Sequence, residues 1–164
     1  MIGPVFAAVF AAVLTVAPPG VRAGLADGMV AYDQGDYDTA FSEWTPLAED
    51  GDAVAQGLLG LLYRGSPGIA PDFAESAKWY RRAAAQGNPH AQYNIGVIYM
   101  RGQGVARDDV QAYMWLDLAA RGIVTQADGT NSASRQRDAL AKRMTETEVG
   151  EARRLGDAWE PTAE

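Results

Sequence analysis

Residues 87–122, GNPHAQYNIGVIYMRGQGVARDDVQAYMWLDLAARG, decide the fold, because the residues before them repeat their pattern at a fixed offset. A shift of 36 positions aligns Gly51, Ala55, Gln56, Gly60, Tyr63, Gly68, Ala70, Asp72, Trp79, Ala83 and Ala84 with Gly87, Ala91, Gln92, Gly96, Tyr99, Gly104, Ala106, Asp108, Trp115, Ala119 and Ala120, eleven identities in all. Average composition gives about two or three by chance. Leu59/Ile95, Leu62/Ile98 and Ile69/Val105 are conservative matches. A period of this length means stacked supersecondary units, each too small to bury its apolar face alone.

Each unit reads as two short helices. Ala91, Ile95 and Ile98 follow helical spacing, as do Ala55, Leu58, Leu59 and Leu62, which predicts one inward apolar stripe ended by Tyr99 or Tyr63. Gly96 and Gly60 fall inside these helices, where glycine costs about 1 kcal/mol relative to alanine, so a partner helix is expected to cross there at close range. Asn88 and Pro89 suit an N-cap and first helical position. Gly102, Gln103 and Gly104, matched by residues 65–68, form a turn that can visit positive φ. The second helix starts at an aspartate, with Asp72/Glu75 and Asp108/Gln111 at capping-box spacing. Trp79, Ala83 and Ala84, matched by Trp115, Ala119 and Ala120, set a bulky anchor beside small residues.

The pattern A-x-Y-N-I-G-x-x-Y-x-x-G-x-G-V-x-x-D, followed by A-Y-M-W-L-x-L-A-A-x-G, resembles the Sel-one-like repeat (SLR), a solenoid relative of the tetratricopeptide repeat. Residues 51–86 and 87–122 carry it in full. Residues 25–50 carry it in part: Asp36, Tyr37 and Ala48 keep the offset, but Tyr32 lies only four residues before Asp36, where Tyr63 lies nine before Asp72. The resemblance implies an all-α fold, an α-solenoid of antiparallel helix pairs in a right-handed superhelix, with three units over residues 24–122 and capping helices over 123–164. In that last part, 123–132 reads as a polar loop. Ala139, Leu140 and Met144 are the inward candidates of one helix; Thr145 and Glu148 open another, with Val149, Ala152, Leu155, Gly156 and Trp159 on one face and Pro161 as its stop.

Residues 1–23 have no acidic residue, and an Ala/Val/Phe/Leu run at 5–17 is too short to span a bilayer comfortably. Pro18, Pro19 and Gly20 break a helix, and Val21-Arg22-Ala23 offers small residues at peptidase positions. The segment reads as a secretory signal cleaved after Ala23, so the chain is expected in the periplasm or secreted, with no integral membrane segment once it is removed. Cysteine is absent from the sequence, which excludes disulfides, acylation at cysteine and thiolate chemistry. Without residues 1–23 the chain keeps 13 basic and 21 acidic residues, a net charge of −8 that disfavours nucleic acid and anionic lipid.

Catalytic chemistry finds no constellation. His90 is the only histidine and reads as a surface residue in a first turn. Asp33, Asp36 and Asp38 resemble a calcium loop faintly, but Trp44 stands where a bidentate Glu belongs. Gly102-Gln103-Gly104 lacks the preceding strand of a phosphate cradle. Trp79/Tyr80 and Tyr113/Trp115 read as core, and no carboxylate pair stands out. The expectation is therefore a chain with no cofactor and no metal, not an enzyme. What remains is a surface. In tetratricopeptide arrays the first helices line the concave side, and the resemblance carries that side onto Gly57, Leu61, Arg64, Tyr93, Val97, Met100 and Arg101, with Val30 and Asp33 from the partial unit. Tyr93, Val97 and Arg101 share a helix face by spacing alone. Aliphatic, aromatic and basic groups there suit a protein or peptide partner with an acidic feature. The resemblance implies an adaptor or scaffold. The alternatives are a structural subunit of an envelope complex, or an envelope enzyme akin to cysteine-rich SLR proteins linked to penicillin binding and β-lactamase activity.

Overall fold

The computed structural model describes residues 19–67, 69–122 and 131–163, with side chains from Ala23 onward. The apolar run at 5–17, Gly68 and most of the expected polar loop lie outside the described residues. Eight α-helices and no strand occur among them: α1 Pro19–Asp33, α2 Tyr37–Glu49, α3 Ala53–Tyr63, α4 Phe73–Ala85, α5 Pro89–Arg101, α6 Asp109–Gly122, α7 Ser132–Ala141 and α8 Glu146–Asp157. Consecutive helices pack against each other from α1 to α7, and α8 returns to α6. The architecture is an α-solenoid of three helix pairs, with α7 and α8 both laid on α6.

Pro19 opens α1 where it was expected to break a helix. Proline's fixed φ and missing N–H suit a first turn. The short link at 34–36, against 64–72 and 102–108 in the later units, is the local deletion legible in the sequence. Aspartates and asparagines then start the helices. Asp36 accepts from Thr39 N, Asp52 from Val54 N and Ala55 N, Asp72 from Ala74 N and Glu75 N, and Asn88 from Ala91 N. The Asp72 cap stands, but the Glu75 carboxylate turns to Lys78 Nζ at 3.2 Å instead of completing a box. Thr145 and Glu148 do form the expected capping box, and Asn131 with Ser134 forms one that was not expected.

The helix glycines do what their cost requires. A Cβ on Gly60 would lie 2.8 Å from the Tyr80 ring, and one on Gly96 would lie 2.9 Å from Leu116 Cγ. The same device recurs in the first unit, where a Cβ on Gly28 would fall well inside contact distance of the Trp44 indole. Trp44 fixes that crossing further by donating Nε1–H to Leu25 O at 3.3 Å, and Ser76 Oγ donates to Gly60 O at 2.7 Å. Gly104 shows the other use of glycine: with φ of 71° it carries the α5–α6 loop onto the start of α4, where a Cβ would overlap the Phe73 and Ala74 backbone.

Neighbouring units are locked by one repeated hydrogen bond. Buried Gln56 Nε2 donates to Ala48 O at 3.1 Å, and Gln92 Nε2 donates to Ala84 O at 3.3 Å. The next carbonyl in this series, Ala120 O, accepts from Asn131 Nδ2 at 3.0 Å. Asn131 thus seats α7 as the first helix of a truncated fourth unit. α8 packs on α6, so α6 is covered on every side, and Ala112 through Ala119 are all buried.

In α7 the inward residues are Ala133 and Leu140, while Ala139 is exposed. In α8 Ala152 and Gly156 are buried but Leu155 is exposed. That helix ends at Asp157, before Pro161, because the chain then doubles back. Trp159 meets Trp115 edge-on at 6.2 Å, and Thr162 N donates to Ala85 O at 2.9 Å.

Helix propensity alone would make each glycine-to-alanine change stabilising by about 1 kcal/mol. Gly28→Ala and Gly96→Ala should instead lose about 1–3 kcal/mol through overpacking against Trp44 and Leu116. Gly150→Ala in α8, where nothing lies within 4 Å, should gain stability. Urea unfolding of the three variants reads the difference.

Candidate functional site

The seven residues assigned to the concave side lie on or just after α3 and α5, the first helices of the second and third units. Gly57 and Leu61 are half-buried, and Leu61 packs against the second apolar cluster with Ile95, Ile98 and Trp115. Arg64 follows α3, is exposed, and donates Nη1–H to Asn94 Oδ1 of α5 at 3.0 Å. Asn94 in turn donates Nδ2–H to His90 O at 2.9 Å. This chain of bonds holds the Arg64 guanidinium across two first helices.

Tyr93, Val97 and Met100 are half-buried, all packed against the cluster formed by Ala112, Tyr113 and Leu116 of α6 with Leu140 and Ala152 of the cap. Tyr93 Oη accepts a hydrogen bond from Gln136 Nε2 of α7, so the cap borders this end of the face. Arg101 is exposed at the end of α5. The structure therefore joins Arg64 to α5 through Asn94 and joins Tyr93 to α7 through Gln136. Sequence reading named neither Asn94 nor Gln136. Asn94 had a signal, being a polar residue one position from Tyr93 on the same helix; Gln136 had none, because it depends on how α7 docks. Of the first-unit residues assigned to the same side, Val30 and Asp33 are both exposed on α1, but Val30 follows Gly28 by two positions as buried Leu62 and Ile98 follow Gly60 and Gly96, so it belongs to the face on which units stack and not to the concave side.

The residues considered for other chemistry have structural roles. Asp36 caps α2, and its hydrogen bonds from Thr39 Oγ1 at 2.7 Å and Thr39 N hold the carboxyl below its ordinary pKa. His90 is half-buried in α5, and burial pushes its pKa down, which favours neutral imidazole. Among the described residues no group of three or more His, Asp or Glu is placed to hold a metal ion. No described helix is long and apolar enough to cross a membrane.

Charge organises the cap beside this face. Asp117, buried on α6, receives Arg121 and Arg137, with Arg137 Nη1 at 2.7 Å from Oδ1. Arg121 also reaches Asp157 of α8 at 2.8 Å. Buried carboxylates persist only when paired in this way. At the start of α6, Asp109 lies 2.8 Å from Arg107 and 3.2 Å from Arg143, which follows α7.

The fold and these contacts define a helical-repeat protein in which exposed Arg64 and Arg101 stand beside half-buried apolar residues of α3 and α5. Residues 53–88 and 89–122 each match the Sel1 repeat family model, so the chain carries two Sel1 repeats. No curated protein matches the chain. Two crystal structures of SLR proteins are similar to it. One is a protective antigen of uropathogenic Escherichia coli strains that displays an SLR fold, 28% identical with a TM-score of 0.75 over 85% of this chain. The other is a Sel1 repeat protein from Oxalobacter formigenes, 29% identical with a TM-score of 0.62 over 73% of this chain. The matched regions span only 29% and 34% of those two chains.

The Arg107 hydrogen bond, with Arg143 beside it, holds the Asp109 carboxyl below its ordinary pKa against desolvation. A folded-state pKa below the unfolded one gives stability that is present above about pH 4 and lost as pH falls through the folded value. Asp109→Asn should therefore cost about 0.5–1 kcal/mol near neutral pH, a modest figure for a partly solvated pair. The gap from the unmodified chain should close as the medium is acidified below about pH 4. Denaturant midpoints across a pH series measure it.

Proposed function

We propose that the chain is an exported, non-enzymatic adaptor that binds an extended peptide or protein segment bearing a carboxylate on the concave face of its repeats. The observation that carries this reading is Arg64, an exposed guanidinium held between α3 and α5 by Asn94 in a protein whose net charge is −7. Arg101 supplies a second exposed cation further along α5, and half-buried Leu61, Val97 and Met100 supply apolar surface on the same helices. A guanidinium recognises a carboxylate through two parallel N–H donors, so such a face selects acidic segments over neutral ones. The likeness to SLR proteins supports an interaction scaffold as the general role. Export, to the periplasm or beyond, rests on the apolar run at 5–17 and the small residue Ala23.

Affinity capture from native envelope extracts should recover a partner with the unmodified chain and lose it with Arg64→Glu plus Arg101→Glu. Both side chains are exposed, so circular dichroism of the double variant should be unchanged. Equal capture by both proteins would sink the assignment.

A further inference from the structure

The later units bury a common set of side chains against the unit before them, and the first unit has different chemistry at the same places. Aligned on Gly28, Gly60 and Gly96, the first helices put Asp27, Leu59 and Ile95 in one register position and Val30, Leu62 and Ile98 in another. At the 36-residue offset the second helices put Glu43, Trp79 and Trp115 in a third. Leu59, Leu62 and Trp79 lie in the cluster that holds Ala40, Trp44 and Ala48 of α2. Ile95, Ile98 and Trp115 lie in the cluster that holds Ala77, Tyr80, Ala83 and Ala84 of α4. These are the residues by which a unit stacks backwards. Leu62 and Ile98 are each 2% exposed as a result, whereas Val30 is 55% exposed.

The face of α1 and α2 that corresponds to this stacking surface is therefore uncovered among the described residues, and two of its three apolar positions have become carboxylates. Its surroundings carry the same sign. Residues 19–63, the first unit and α3, contain eight Asp or Glu and one basic residue, Arg22 near the start of α1, while residues 64–164 contain 13 acidic and 13 basic residues. The net negative charge of residues 19–164 thus belongs to the first unit and α3, and the field is concentrated at this end.

We propose that this end face docks a basic amphipathic helix of a partner protein, lying against α1 as α2 lies against α3 and α4 against α5. The repeats themselves show the geometry of the occupant, a helix crossing the exposed stripe of a first helix. The substitutions set its chemistry: an apolar residue over Val30, and Lys or Arg facing Asp27 and Glu43. A wholly apolar or acidic helix in that place would strip water from two unpaired carboxylates, which opposes binding. The preference is opposite to that of the Arg64 and Arg101 face, so failure of either assignment leaves the other standing.

Because the sequence has no cysteine, Val30→Cys creates a single attachment point for an environment-sensitive dye. Leu155→Cys, on the exposed side of α8, is the matched control. The probe is a synthetic amphipathic helix of leucine and lysine, compared with its leucine and glutamate counterpart. The expected result is a saturable response at Val30→Cys to the lysine peptide only, weakened about tenfold or more between about 0.05 and 0.5 M salt. Adding Asp27→Lys and Glu43→Lys should abolish it while circular dichroism stays unchanged. An equal response to the glutamate peptide, an equal response at Leu155→Cys, survival of binding in the charge-reversed variant, or no response would overturn the proposal. So would a signal that grows with protein concentration without peptide, which would assign the face to a second copy of the chain.

Discussion

Everything in this molecule depends on how closely two short helices can cross. In each unit the first helix presents a bare glycine backbone and the second lays a large side chain on it: Trp44 over Gly28, Tyr80 over Gly60, Leu116 over Gly96. Helices of 11 to 15 residues are marginal by themselves in water, so the pair is stable only if its interface excludes solvent completely. The glycine brings the axes near enough for Ser76 Oγ of α4 to donate to the Gly60 carbonyl of α3. Once the pair is rigid, its outer stripe becomes a fixed template for the next pair. A buried Gln or Asn bonding to the preceding helix end then sets the translation from one unit to the next.

The same template explains the different characters of the two ends. At the α6 end the pattern continues through Asn131 into a truncated unit, and buried Asp117 joins α6 to the cap through Arg137 and, by way of Arg121, reaches α8. That end is covered and near neutral. At the α1 end the stacking positions survive in geometry but have changed in chemistry. Between them lies the α3–α5 face, where Arg64 is held by Asn94. Charge along the stack is therefore graded, and chemically distinct surfaces follow from one repeated hairpin.

Much of this was legible in the sequence because a 36-residue echo reports contacts directly. Gly60 and Gly96 could be assigned to close crossings since their cost inside a helix demands a packing cause. Trp79 and Trp115 could be assigned to the core from spacing. Gly28 was harder to see, because the shorter link before Asp36 shifts its register by four residues relative to the second helix. The cap was read correctly as helical, and Leu140, Ala152 and Gly156 face inward as expected, but Ala139 and Leu155 satisfy the periodicity yet face solvent. Both α7 and α8 rest on the single helix α6, which covers a narrower stripe than a hairpin partner would. The candidate face was legible as a list of positions. That Tyr93 meets Gln136 was not, since the contact joins residues 43 apart through a loop whose path no local pattern encodes.

The returning tail changes how such a stack comes apart. Solenoids with only nearest-neighbour contacts can peel from an end, one unit at a time. Here Trp159 on Trp115 and Thr162 on Ala85 fasten the last described residues to the second and third units, so the terminal helices cannot lift away without first releasing this clasp. A chain built as a row of beads thereby acquires a closed loop, and fraying from that end is coupled to the middle of the molecule.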